Sequence, residues 1–148
     1  MRTVEAVITA PGTVEDAERA WYDTDRWQDW NDGFESVIEI SGGWPEAGGQ
    51  IRWRSVPAGR GDVTELVVEH EPGSGQVVEI QDETSTGRQT VTFEAAQGGV
   101  EVAVTLEYRI TKRTPITPVF ELLFVSRAMR ASLQETLHRF AVVLGSGQ

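Results

Sequence analysis

Two adjacent stretches decide the fold: VEVAVTLEYRI at residues 100–110 and ITPVFELLFVSRAMRASLQETLHRFAVVL at residues 116–144. In the first stretch, apolar and polar residues alternate with the period of two that buries one face of a β-strand. In the second, apolar residues recur every three or four positions, as they do on the buried face of an α-helix. These patterns predict a long final strand and then a long amphipathic helix, which Gly145 ends.

The predicted helix has one apolar face along its whole length. At 100° per residue, its apolar side chains fall within about 60° of a single line. They are Leu122, Val125, Met129, Leu133, Leu137, Phe140, Val143 and Leu144. Arg127, Gln134 and His138 lie on the opposite side. A helix of this kind buries a stripe about 30 Å long against a concave sheet.

The earlier part of the chain reads as a strand, two short helices and five more strands. The first strand alternates through Val4, Ala6 and Ile8, and Thr13 with Asp16 has the spacing of a helix-capping pair. A second short helix is expected within residues 23–33. Further strands are predicted at residues 34–40, 51–56, 63–70, 77–82 and 89–95, with a break at 84–87. Short turns between them indicate an antiparallel meander, and the fold class is α+β.

Length, charge and composition exclude several classes of protein. The 148 residues fit a single domain spanning 1–148, and the net charge of −10 argues against nucleic acid binding. The absence of cysteine excludes disulfides and thiolate nucleophiles. No signal peptide and no run of about 20 apolar residues is found, so we expect a cytoplasmic protein without stable membrane insertion. No metal-ligand spacing or phosphate-binding motif is present, and no cofactor is expected.

A set of residues spread along the chain carries a resemblance to a known superfamily. They are Ala10-Pro11, Trp21, Asp25, Trp27, Trp30, Phe34, Pro45, Gly48-Gly49 and Ile51-Arg52-Trp53. With the order of the elements, they resemble the helix-grip superfamily, also called START-like or SRPBCC, in its polyketide cyclase/dehydrase and lipid-transport branch. The resemblance covers essentially the whole chain. It implies a seven-stranded curved sheet wrapped around the C-terminal helix, with a cavity between them.

The cavity implied by the resemblance would be lined by side chains that face inward. We expect these to be Trp27, Trp30, Phe34, Ile38, Trp53, Leu66, Val68, His70, Val78, Ile80, Phe93, Leu106, Tyr108, Met129 and Leu133. Each of them also suits an ordinary hydrophobic core. The five tryptophans favour a binding site, because tryptophan is rarely buried completely and its N–H needs a partner when it is.

Candidate catalytic groups are few. His70 follows Leu66 and Val68 on the predicted inner face and suits a general acid or base, although an exposed histidine at a strand end is the commoner case. Tyr108 suits a hydrogen-bond donor to a ligand carbonyl, or a core tyrosine with its hydroxyl at the rim. Asp82 either faces inward or begins a turn. No nucleophile elbow, catalytic triad or phosphate loop is present.

Three interpretations of function follow from these residues and the resemblance. The first is a protein that binds a small hydrophobic molecule, lipid-like or aromatic. The second is a polyketide cyclase or dehydrase that uses one or two acid/base groups in the cavity. The third is a protein-interaction module.

A basic stretch between residues 109 and 139 stands out in this acidic chain. Arg109, Lys112, Arg113, Arg127 and Arg130 are expected to surround an apolar cluster, for which a homodimer interface is the simplest interpretation. The apolar cluster comprises Ile116, Phe120, Leu123 and Phe124. An anionic carrier or a membrane surface are the alternatives.

Overall fold

The described part of the chain forms one seven-stranded sheet and a long C-terminal helix. The computed structural model describes residues 1–57, 59–111 and 119–146, and in the last range it describes side chains from Val125 onward. The elements are β1 (Arg2–Ala10), α1 (Val14–Tyr22), a 3₁₀ turn (Thr24–Arg26), α2 (Trp27–Trp30), β2 (Phe34–Ser41), β3 (Gln50–Ser55), β4 (Asp62–Glu71), β5 (Gly75–Gln81), β6 (Ser85–Ala96), β7 (Gly99–Ile110) and α3 (Val119–Ser146). The predicted α+β class is confirmed.

The sheet is antiparallel throughout and strongly curved. Its strand order is β1-β7-β6-β5-β4-β3-β2. The pairing register shifts twice in β2, after Phe34 and after Val37, and once in β4, after Val67. Such bulges bend a strand and increase its twist, which makes the sheet concave. Helix α3 packs against β1 and α2, so the concave face closes over the helix.

Helix α3 has the predicted phase. Leu137, Phe140 and Leu144 are buried, whereas Gln134 and His138 on the opposite face are exposed. The predicted start at Ile116 and the side chain of Leu122 lie outside the described residues. The predicted end is wrong, because the helix runs through Gly145 to Ser146. A Cβ atom at Gly145 would contact the ring of Pro11 at 3.4 Å, so the last turn lies close to the end of β1.

Aromatic side chains fill one end of the interior. The rings of Trp21 and Trp30 stack with centroids 4.6 Å apart. Phe140 of α3 packs edge-on against both, at 5.2 and 5.1 Å. The ring of Trp27 meets Trp30 at 6.0 Å and Trp53 at 6.4 Å. This cluster holds the helix on the sheet and supplies much of the core.

Of two local predictions, a helix-capping pair and a break between strands, the first is confirmed and the second is wrong. The capping pair is confirmed: the amide of Asp16 donates to Thr13 Oγ1 at 3.1 Å, and the amide of Thr13 donates to Asp16 Oδ2 at 3.0 Å. The break at 84–87 is wrong, because β6 begins at Ser85 and contains Gly87. A Cβ atom at Gly87 would collide with the carbonyl oxygen of Glu107, so glycine here permits a close approach of two strands.

No helix among the described residues is long and apolar enough to span a membrane.

Candidate functional site

Two adjoining cavities lie between the sheet and α3. The inner cavity has a volume of about 50 Å³ and is lined by Trp21, Trp27, Trp30, Asn31, Asp32, Trp53, Arg60, Glu65, Ile80, Gln89, Val104, Ser132, Leu133 and Thr136. The outer cavity has a volume of about 290 Å³ and is lined by Gly59, Arg60, Asp82, Thr84, Gln89, Leu106, Val125, Ala128, Met129, Ser132 and Leu133. They share Arg60, Gln89, Ser132 and Leu133, so they adjoin and together form one candidate site.

Glu65 is a buried carboxyl group in the wall of the inner cavity. Its residue is 6% exposed, and its Oε2 accepts a hydrogen bond from Trp53 Nε1 at 2.8 Å. Burial raises the pKa of Glu65, and the Trp53 hydrogen bond and the Arg60 charge offset only part of that rise. Among the described residues, no group hydrogen-bonds the second carboxyl oxygen. Burial therefore shifts Glu65 toward its protonated form, and one carboxyl oxygen has no partner among the described residues.

Arg60 and Asp82 form an ion pair at the edge of the outer cavity. Arg60 Nε donates to Asp82 Oδ2 at 2.8 Å, and the Asp82 side chain is 1% exposed. The guanidinium also lies 5.8 Å from the centroid of the Trp53 ring. Burial raises the pKa of Asp82, but the charge and hydrogen bonds of Arg60, together with amides of the following turn, bring it below its usual value. Asp82 therefore stays ionised and holds Arg60 in place.

Asp32 ties the start of β2 to α3 beside the inner cavity. Its Oδ2 accepts from Ser132 Oγ at 2.7 Å, and its amide donates to Thr136 Oγ1 at 3.0 Å. Arg139 lies 3.4 Å from the other carboxylate oxygen. These contacts position the stretch of α3 that contributes Ser132 and Leu133 to both cavities.

Four buried side-chain atoms lack a hydrogen-bond partner within the described residues: Trp30 Nε1, His70 Nε2 and the hydroxyls of Tyr22 and Tyr108. Of these residues, Trp30 lines the inner cavity. Tyr108 is 2% exposed, so its hydroxyl does not lie at an exposed rim. A buried polar group without a hydrogen-bond partner lowers the stability of the fold.

About half of the residues predicted to face the cavity do line it. Those that do are Trp27, Trp30, Trp53, Ile80, Leu106, Met129 and Leu133, and the candidate catalytic residue Asp82 joins them. Val78, Phe93 and Tyr108 are buried, and Phe34 is half-buried, but none of them borders either cavity. They belong to the hydrophobic core.

Three of the predicted cavity residues, Ile38, Leu66 and Val68, lie elsewhere, on the two strands that contain bulges. Leu66 is 37% exposed, since Glu65 and Val67 take the inner face of β4. In β2 the bulges bring Val37 against the core, whereas Ile38 does not belong to it. Val68 is half-buried beyond the bulge and borders neither cavity.

His70 faces the same side as the core but lies away from both cavities. Its Nδ1 is 3.1 Å from Glu46 Oε1, and its ring packs on Tyr22 with centroids 5.0 Å apart. Glu18, 4.0 Å from the same ring, also accepts from the amide of Gly73 at 2.6 Å. Burial and the charges of Glu18 and Glu46 raise the pKa of Tyr22. These contacts hold the turn between β4 and β5 against α1. The role of His70 in them is structural.

A groove of about 460 Å³ borders His70 on its other side, but it is a weaker candidate site. Five of its eleven lining residues, among them Glu69, Glu71 and Thr92, are exposed to solvent. It lies over strand ends and does not reach the space between sheet and helix.

Eight polar residues that line the two cavities were not predicted from the sequence: Asn31, Asp32, Arg60, Glu65, Thr84, Gln89, Ser132 and Thr136. The sequence does contain an indication that Glu65 faces inward. Val63, Glu65 and Val67 occupy alternate positions of the strand as regularly as Leu66, Val68 and His70, the set that was predicted to face inward. Arg60 lies in a loop rich in glycine, where periodicity carries no information. Arg52 and Arg54, which flank Trp53 on β3, form ion pairs with Glu39 and Asp62 on the outer face of the sheet.

The arrangement offers a hydrophobic outer space and a polar inner end. Within the described residues, no group of three carboxylate or histidine side chains is placed to hold a metal ion. The groups at the polar end can supply hydrogen bonds and, through the Glu65 carboxyl, proton transfer, beside an arginine and an amide. Of the basic stretch, Arg109, Arg127 and Arg130 are exposed. Lys112, Arg113 and the apolar cluster of Ile116, Phe120, Leu123 and Phe124 lie outside the described residues.

A curved antiparallel sheet around a C-terminal helix, with cavities between them, defines the helix-grip class. The chain belongs to the family described as polyketide cyclase/dehydrase and lipid transport, whose model matches residues 1–145. The resemblance seen in the sequence is confirmed. A comparison with curated proteins finds no match.

Solved structures with the same fold have low sequence identity to this chain. The protein TTHA0849 from Thermus thermophilus is 20% identical, with a TM-score of 0.77 and 99% coverage of both chains. The di-domain ARO/CYC StfQ from the steffimycin biosynthetic pathway is 15% identical, with a TM-score of 0.75, covering 97% of this chain and 50% of its own. Ara h 8.0201 is 16% identical, with a TM-score of 0.70 and 98% coverage of both. At these identities the likeness concerns the fold.

Proposed function

We propose that the protein binds a small hydrophobic molecule, lipid-like or aromatic, in the cavity between its sheet and C-terminal helix. The observation that carries this proposal is the outer cavity of about 290 Å³ beside a polar inner end. Ligand sites in proteins are concave and largely apolar, with a few polar groups that fix orientation. Leu106, Met129 and Leu133 supply the apolar wall, and Arg60, Glu65 and Gln89 supply the polar groups.

The open space also separates this proposal from that of a protein-interaction module. A module that needs only its surface gains nothing from an interior cavity, and filling such space with side chains would stabilise the fold. The description of the family, which includes lipid transport, supports the same choice.

Filling the outer cavity should weaken binding. Leu106 is 5% exposed and borders the outer cavity, so a tryptophan there would occupy the space meant for a guest. We expect the wild-type protein to shift the emission of a propionyl(dimethylamino)naphthalene dye to the blue in a saturable titration. Leu106→Trp should weaken this binding by about tenfold or more, equivalent to about 1.4 kcal/mol.

The matched control places the same side chain on the outer face. Leu66→Trp adds an indole at a position that is 37% exposed and should leave the dye affinity unchanged. Circular dichroism melting of both variants checks that the fold is retained. Equal affinity of the dye for wild type and Leu106→Trp would contradict a site in this cavity.

A second candidate function is dehydration of a β-hydroxy ketone, as in a polyketide cyclase/dehydrase. The buried acid Glu65 favours it, and so does the fold shared with StfQ. In this scheme Glu65 gives its proton to the hydroxyl, which leaves as water with the C–O electron pair. In the same step the carboxyl takes the proton from the carbon next to the ketone, so that the C–H electron pair forms the conjugated double bond and the acid is restored.

This reaction is testable with a naphthyl-substituted β-hydroxy ketone, whose dehydration product absorbs at longer wavelength. A dehydrase should accelerate the absorbance change, and Glu65→Gln should abolish the acceleration while still binding the saturated ketone. If the wild-type protein binds the compound and leaves it unchanged, the binding function stands alone.

A further inference from the structure

The second oxygen of the Glu65 carboxyl borders space that water can enter. Glu65 is 6% exposed, and its Oε2 accepts a hydrogen bond from Trp53 Nε1 at 2.8 Å. Within the described part of the chain, Oε1 has no hydrogen-bond partner, yet it is not one of the fully buried atoms that lack one. This oxygen therefore faces the inner cavity, which Glu65 borders.

The polar wall of the inner cavity reaches the protein surface. Asn31 and Asp32, at the junction of α2 and β2, and Ser132, on α3, border the cavity and are half-buried. The side chain of Asp32 is 32% exposed and lies 3.4 Å from that of Arg139, which is 44% exposed. The inner cavity thus meets solvent between this junction and α3.

The outer cavity meets solvent at a different place. Among the residues that border it, Gly59, Thr84 and Ala128 are exposed. They belong to the loop after β3, the turn after β5 and the first half of α3. None of these three residues borders the inner cavity. The candidate site therefore has a larger opening beside Met129 and a smaller, polar opening beside Asp32.

The inner cavity has the size and the partners of a site for ordered water. Its volume of about 50 Å³ exceeds the roughly 10–15 Å³ that one water molecule requires. A buried water makes about two to four hydrogen bonds. The carboxyl of Glu65 and the amide of Gln89 border the cavity and can supply them. Ser132 Oγ donates to Asp32 Oδ2 at 2.7 Å, which leaves the lone pairs of the hydroxyl to accept from water.

We infer that ordered water molecules fill the inner cavity and connect the Glu65 carboxyl to solvent past Asp32, separately from the opening of the outer cavity. Along these waters one proton leaves the carboxyl and another returns, so Glu65 exchanges its proton with solvent even while the outer cavity is filled. In the dehydration scheme, the same passage takes up the water that is released. The inference concerns water and protons, and it does not depend on the proposed binding function.

Hydrogen exchange at the Trp53 indole tests this inference, because Trp53 Nε1–H lies against the Glu65 carboxyl. Proton–nitrogen correlation spectra recorded after transfer into D₂O give its exchange rate. The opening free energy derived from that rate should lie well below that of the Val78 amide, which sits on a strand paired on both sides and reports global unfolding. An indole N–H that opens only together with Val78 would overturn the inference.

Blocking each opening in turn distinguishes the two routes. Asn31→Leu places a larger, apolar side chain at the polar opening and should slow exchange of Trp53 Nε1–H by about tenfold or more. Leu106→Trp fills the outer cavity and should change the rate by about twofold at most. Gln28→Leu makes a similar change at an exposed position of α2 and should leave the rate unchanged.

Asn31→Ser keeps the opening polar and should exchange as wild type does, which separates a blocked passage from a structural change at α2. Slower exchange in Leu106→Trp, with unchanged exchange in Asn31→Leu, would mean that water reaches Glu65 through the outer cavity and would overturn the inference. If Asn31→Leu does not fold, the wild-type comparison with Val78 and the Leu106→Trp rate still decide. These outcomes leave the dye affinities, on which the proposed binding function depends, unaffected.

Discussion

Phe140→Ala should lower the free energy of unfolding by about 3–5 kcal/mol, the range observed when a fully buried phenylalanine is truncated. Phe140 is 0% exposed, and its ring packs edge-on against Trp21 and Trp30 at 5.2 and 5.1 Å. Removing the ring leaves a cavity at the point where α3 rests on the tryptophan cluster. Urea denaturation, followed by tryptophan emission and by far-UV circular dichroism, measures the loss.

The control lies two residues away on the other face of the same helix. His138 is exposed, so His138→Ala should change the free energy of unfolding by about 0.5 kcal/mol or less. Similar losses at the two positions would contradict the orientation of α3 described above.

Glu65→Gln should stabilise the protein progressively as the pH rises. Below the pKa of an unfolded glutamate, about 4.3, both the folded and the unfolded chain hold the Glu65 proton. Because burial raises the pKa of Glu65, the folded chain keeps its proton at higher pH while the unfolded chain loses it. The stability of wild type then falls by up to about 1.4 kcal/mol per pH unit until the folded pKa is reached.

Glutamine cannot lose a proton, so this contribution disappears in the variant. Urea denaturation at about pH 4.5 and about pH 7.5 should show a gain for Glu65→Gln that is larger at the higher pH. For Asp82 the dependence of stability on pH has the opposite sign. Its lowered pKa stabilises the fold above about pH 3.9, and that stability is lost only as the pH falls through its folded pKa. The contribution of Asp82 to the free energy of unfolding is therefore constant between about pH 4.5 and about pH 7.5.

Glu69→Gln is the matched control, since Glu69 lies on the same strand and is exposed. The free energy of unfolding of Glu69→Gln, relative to that of wild type, should not increase with pH as it does for Glu65→Gln. A Glu65→Gln variant whose gain is equal at both pH values would mean that Glu65 is ionised in the folded protein.

The architecture was predictable from the sequence because it depends on repeated signals. In β7 the alternation of Val100, Val102, Val104 and Leu106 runs without interruption, and all four side chains are buried. In α3 every apolar residue of the stripe reinforces the same phase. One residue that departs from the alternation or from the helical phase does not change such a pattern. The sequence therefore predicts seven strands and one long helix.

The polar end of the site was not predictable in the same way. The bulge after Val67 allows one strand to place Glu65 inward before it and His70 inward after it, so no single frame describes β4. Alternation alone selected the frame of Leu66 and therefore missed the buried acid. The Arg60–Asp82 pair joins two loops that are 22 positions apart in the chain, a contact set by the folded sheet and not by local spacing.

Nuclear magnetic resonance of methyl-labelled protein with the propionyl(dimethylamino)naphthalene dye tests the central claim most directly. The claim is that a hydrophobic guest binds between the sheet and α3. A guest in this cavity should cause the largest chemical-shift changes at the methyl groups of Leu106, Met129 and Leu133. The same methyl groups should show intermolecular nuclear Overhauser effects to the dye. Effects concentrated at the exposed Val7 and Leu66, or no saturable change at any methyl group, would contradict it.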